Sequence, residues 1–134
     1  MAGIMMDEDL CYLICIPSLD EMDYLESIVS KSGNLNFFVM NHSVQTALVM
    51  SGFHKIHVLN ADTTFIDMAA VDQVIVLEKD LTSTHFLIDI VSASVKAPIL
   101  IVTRNKHVPH QVYKLLGAKT VVYLQSKNIN FLVN

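Results

Sequence analysis

The chain has 134 residues, 52% of them hydrophobic and only 16% charged, with a net charge of -4 and a pI near 5.8. That length suits one domain with a single core, and that composition excludes a disordered chain. No apolar run approaches the ~18 residues needed to span a bilayer, and the acidic start MAGIMMDEDL lacks the basic flank of a signal peptide, so a cytoplasmic location is expected.

The first element is the apolar run Leu10 to Ile16, read as a buried strand and ended by Pro17. Ser18 and Glu21 have capping-box spacing, and Leu19, Met22, Leu25 and Val29 follow at helical intervals until Gly33. Leu35 to Met40 is the second strand. Asn41 or Ser43 caps a short helix carrying Val44, Ala47, Leu48 and Met50, closed by Gly52. Lys55 to Leu59 is the third strand, Asn60 and Asp62 mark a turn, and Thr64 to Ala70 is expected as a short helix.

Gln73 to Leu77 has the continuous β-branched character of a fully buried strand, with Glu78, Lys79 and Asp80 at its carboxyl end. Thr82 or Ser83 starts the next helix, with Phe86, Leu87, Ile90 and Val91 on its apolar face. Pro98 introduces the strand ILIVT. Pro109 suits the first turn of a helix that carries Val112, Tyr113 and Leu116 and stops at Gly117. Thr120 to Leu124 is the last strand. Strands alternating with helices imply parallel pairing through right-handed crossovers, hence a three-layer αβα sandwich around a mainly parallel sheet. Residues 1–134 form one domain, and the end soon after a last strand suits a domain taken from a longer protein.

Several chemistries are disfavoured. Nine Lys and Arg are scattered without the basic stripe of a nucleic-acid interface. Four glycines leave no phosphate-binding loop and no dinucleotide fingerprint, so no nucleotide cofactor is expected. There is no Gly-x-Ser-x-Gly elbow. Cys11 and Cys15, four apart in a strand, share a face at roughly 13 Å and cannot pair with each other, so both read as core thiols. His42, His54, His57, His85, His107 and His110 lack the grouping of zinc ligands, so no metal is expected.

Parallel sheets of this class place ligands at the carboxyl ends of their strands. Ser18, Asn41, Thr103 and Arg104 stand there, and a guanidinium beside a hydroxyl suits an anion. A small-ligand-binding or enzymatic Rossmann-like domain is therefore one reading.

The stretch from Ala97 to Leu124 carries a further signal. ILIVT, a polar turn, a helix ending in Leu-Gly-Ala and a short strand resemble the last two βα units of response-regulator receiver domains. The resemblance covers Asn36 to Ser126 and implies a receiver or flavodoxin-like sheet with an extra βα unit at the N-terminus. It puts Thr103 at the switch hydroxyl and Glu78 where the family has its phospho-acceptor aspartate, with Asp80 the nearby alternative. The family's lysine after the last strand is replaced by Gln125 or Ser126, with Lys127 slightly late, and the acids that hold Mg²⁺ are not in place. The resemblance therefore implies a degenerate, non-catalytic receiver that works by protein contact or as a homodimer, without a cofactor. Its candidate contact face is Val108, Gln111, Tyr113, Lys114 and Tyr123. An atypical phospho-acceptor using Glu78 or Asp80 is the remaining alternative.

Overall fold

The computed structural model describes residues 10–126 together with Ile129 and Leu132, and the backbone alone at residues 27–33. Val29, expected on the first helix's apolar face, and Lys127 lie outside the described side chains.

Six strands form one all-parallel sheet: β1 (Tyr12–Ile16), β2 (Leu35–Val39), β3 (Ile56–Val58), β4 (Gln73–Leu77), β5 (Ile99–Thr103) and β6 (Thr120–Tyr123). Their order across the sheet is β3-β2-β1-β4-β5-β6. All six coincide with strands expected from the sequence. Their side chains alternate between two apolar clusters. Ile14, Ile16, Phe37, Ile75, Leu77 and Val102 face one side; Leu13, Cys15, Phe38, Val74, Val76 and Ile101 face the other. Burial on both faces is why these strands read as unbroken apolar runs.

A helical segment, Leu19–Asn34, and α1 (His42–Met50) cover the first face, through Tyr24, Leu25, Val44 and Leu48. On the second face lie α2 (Leu81–Ser94) and α3 (His110–Leu116), through Leu87, Ile88, Ile90, Val91 and Tyr113. Layered in this way, the molecule is an αβα fold consistent with the flavodoxin-like class in its layers, while its six-strand order 3-2-1-4-5-6 is that of the Rossmann-type doubly wound sheet; four helical segments lie among the described residues.

Several local expectations need correction. The first helix is of 3₁₀ type along its whole described length. Its three-residue turns bring i and i+3 into register, so Glu21 and Tyr24 are both buried while Leu19 lies half outside. The capping box is also different. The Ser18 hydroxyl donates to Glu21 Oε1 at 2.5 Å, and the Glu21 N–H returns to the Ser18 carbonyl. α2 begins earlier than Thr82: Asp80 is its N-cap and accepts the Ser83 N–H at 2.7 Å. Pro109 precedes α3 in extended conformation rather than opening it.

Thr64 to Ala70 forms no helix. The segment between β3 and β4 has no regular structure and crosses the second face as an extended strap. Ile66 and Met68 turn inward, whereas Phe65, at 59% exposure, and Asp67 turn outward. That two-residue alternation belongs to an extended chain. The Ile66 N–H donates to Ser94 Oγ on α2, which replaces the bond a helix would have supplied.

The N-terminal βα unit is not an addition outside the sheet. β1 lies between β2 and β4, in the centre, with every side chain buried. The short β3, half-buried throughout, is the strand at the edge. The chain leaves β1 in one direction across the sheet and resumes at β4 in the other, so the topological switch point lies between β1 and β4.

Candidate functional site

The carboxyl ends of β1, β4 and β5 bring together most of the polar residues singled out by sequence. β4 ends on Leu77, which faces the first cluster, so the next residue, Glu78, turns to the second face. Thr103, after Val102, does the same. Glu78 is 8% exposed and Thr103 not at all. The Thr103 hydroxyl donates to Glu78 Oε1 at 2.9 Å and accepts the Asn105 N–H at 2.9 Å. Tyr113 Oη stands 3.4 Å from Thr103 Oγ1. A threonine hydroxyl has one proton, here given to Glu78, so Tyr113 is the donor in that contact. The result is a buried chain of donors, Tyr113 to Thr103 to Glu78. Burial, with the Glu78 charge close by, pushes the Tyr113 phenol up to about 12, which keeps it a donor. Glu78 Oε2 is buried with no hydrogen-bond partner among the described residues.

On the other side of the switch point, Glu21 is buried and its carboxyl is raised above the ordinary glutamate value. Desolvation is the main cause, partly offset by the Ser18 hydroxyl. Burial also raises the Tyr24 phenol; the nearby Arg104 charge works against that shift, and Glu21 and Glu78 add to it. Arg104 itself is exposed.

This arrangement does not favour an anion. Of the four residues proposed to hold one, Ser18 is engaged by Glu21, Thr103 by Glu78, and Asn41 by its own helix, whose Val44 N–H it accepts at 3.0 Å. Two buried carboxyl groups, Glu21 and Glu78, stand where negative charge would enter, and of those four residues Arg104 alone is left to attract it. Asp80 caps the following helix, and the Ser83 N–H bond holds its carboxyl below the usual aspartate value, so it adds a further negative charge at the strand end.

The candidate contact face is only partly a surface. Tyr113 is fully buried and cannot meet a partner. Gln111 and Lys114 are exposed; Val108 and Tyr123 are half-buried and joined to each other, the Tyr123 hydroxyl donating to the Val108 carbonyl at 2.6 Å. Sequence reasoning missed Leu115, which is 88% exposed on α3. The signal was available: Leu115 and Leu116 are adjacent, and a short helix cannot turn both toward one core.

Cys15 is buried, and burial pushes its thiol up; Cys11 accepts an Asn36 Nδ2 contact at 3.1 Å, and neither is in a disulfide. The histidines are dispersed. His57 packs edge-on to Phe38 and His85 pairs with Asp89 at 3.4 Å. Among the described residues no three His, Cys, Asp or Glu side chains converge to hold a metal ion, and no helix is long and apolar enough to cross a membrane.

The sequence reasoning also left unassigned a cavity of about 420 Å³, on the second face at the ends of β2 and β3 beside the start of α2. No family model, curated protein or solved structure matches the chain.

Proposed function

We propose that the chain is a receiver-like regulatory module that acts by protein contact, self-association included, and without phosphorylation. The observation that carries this reading is the Thr103–Glu78 hydrogen bond. The resemblance makes Thr103 the hydroxyl that responds to the acceptor position. Here that position holds a glutamate that is already bonded to Thr103 and already carries the carboxylate, so no phosphoryl group is needed to draw the two together. The strand order is compatible: with β1, β2, β4, β5 and β6 taken as the five receiver strands, β3 becomes the added one. The donor set argues in the same direction. Glu78 is sheltered from solvent, Asp80 caps a helix, and among the described residues no third acid joins them to form a metal shell. Leu115, exposed between Lys114 and Leu116, supports the contact half of the reading, since a large apolar side chain in water gains most from being covered.

Two measurements test it. Incubation with acetyl phosphate and Mg²⁺ should leave the intact mass unchanged; gain of a phosphoryl group would overturn the phosphorylation-independent reading. Light scattering should show mass rising with concentration, and Leu115→Glu should return the protein to monomer. A wild-type monomer at every concentration removes self-association.

A further inference from the structure

The cavity on the second face has a chemistry of its own, separate from the buried Glu78 chain and from the α3 surface. Its volume, about 420 Å³, lies within the range of small-molecule sites. It sits at the carboxyl edge of the sheet, where folds of this class bind ligands. Its walls are Met40 from the end of β2, Leu59 and Ala61 from the segment after β3, and Phe86 from α2; Asn60, Asp80, Thr82 and Ser83 are the polar residues among them. One half of the wall is thus aliphatic and aromatic, and the polar half carries one charge, that of Asp80.

That charge decides the ligand class. The start of a 14-residue helix would ordinarily attract an anion through its free N–H groups. Here Asp80 takes the Ser83 N–H, so one of those donors is satisfied from within and a full negative charge stands at the rim. The helix end offsets about half a unit charge, and the remainder is still negative. Lys79 is the adjacent cation and acts on Asp80 from outside the cavity lining. A carboxylate offers about four acceptor positions, so the interactions with Ser83 and the Thr82 N–H leave room for another donor.

We propose that this cavity takes a small molecule with an apolar or aromatic body and a protonated amine, the ring lying against Phe86, Met40 and Leu59 and the ammonium meeting Asp80. Anionic and phosphorylated molecules of the same size are rejected by the same carboxylate.

The test uses the full chain and three probes with one ring and different charge: tryptamine, indole and indole-3-propionate. Amide chemical shifts are followed through a titration to about 5 mM, the weak end of specific binding. Tryptamine is expected to shift the amides of Met40, Ala61 and Phe86 and to bind about ten-fold more tightly than indole-3-propionate, a difference of about 1.4 kcal/mol. Asp80→Asn keeps an N-cap residue, so the helix start survives and only the preference for the cation is lost. Ala61→Trp fills the cavity and abolishes binding of all three. The proposal is overturned by equal binding of the two charged probes, by an Asp80→Asn protein that keeps the preference, by shifts that map elsewhere, or by no binding. None of these outcomes bears on the mass and scattering measurements above, so the two readings fail separately.

Discussion

Replacing Thr103 by valine removes one oxygen from the centre of the buried donor chain and leaves the shape of the side chain nearly unchanged. Three contacts are affected: the bond to Glu78 Oε1, the acceptor for the Asn105 N–H, and the acceptor for Tyr113. A hydrogen bond to a charged group contributes about 1.5 to 3 kcal/mol, and an ordinary one about 1. Glu78 is left worse than before, because its other oxygen already lacks a partner and water has little access to either. Together these give an expected loss of about 2 to 4 kcal/mol. In urea, with a slope near 2 kcal/mol per M for a chain of this size, the midpoint should fall by about 1 to 2 M. Thr103→Ser keeps the hydroxyl and should cost only about 0.8 kcal/mol for the missing methyl. The double change Thr103→Val with Glu78→Met removes both partners and should cost less than Thr103→Val alone, since the largest penalty is the stranded carboxylate. A valine variant with a midpoint within about 0.3 M of wild type would refute the idea that this network is held tightly.

Glu21→Gln should stabilise the protein at pH 7. Glu21 titrates higher when folded than when unfolded, so the folded state holds its proton more tightly and stability falls as pH rises above the ordinary glutamate value. Glutamine can still accept from Ser18 and lacks that penalty; urea midpoints at pH 4, 5.5 and 7 should show its advantage growing with pH. Tyr113→Phe should remove the fall in stability between pH 10 and about 12 that the raised phenol imposes, as measured by denaturation at alkaline pH. Asp80→Ala should lose about 0.5 to 2 kcal/mol of stability with the cap of α2, and Asp80→Asn much less. Gly117 adopts φ +127°, and a Cβ there would meet Ile88 Cγ2 at 3.1 Å. Gly117→Ala should therefore cost about 1 to 3 kcal/mol, read as a lowered thermal midpoint.

The sequence by itself determined the layered architecture. Runs such as LCYLICI, QVIVL and ILIVT are apolar on both faces, and only a central strand of a covered parallel sheet buries both. The same information hinted at the edge: KIHVL mixes polar residues into the run, as a half-buried border strand does. The Asn41 cap was legible, since it acts on an N–H three positions away, whereas the start of α2 was read at Thr82 or Ser83 and its cap is Asp80.

What remained hidden was set by contacts distant in sequence. Nothing local says that β1 joins β4 across 56 intervening residues, or that Thr64 to Ala70 stays extended; that strap is held by Ser94, 28 positions from Ile66. The fate of the polar residues was equally non-local. Thr103 and Glu78 lie 25 positions apart, and only adjacent strands in register make them partners. Tyr113 was a contact candidate through the receiver resemblance alone; the sheet beneath α3 buries it and leaves Leu115 outside. Residue type and period fix which elements form, whereas the order of strands decides which side chains share a site, since pairing is chosen by the burial of the whole sheet rather than by any one segment.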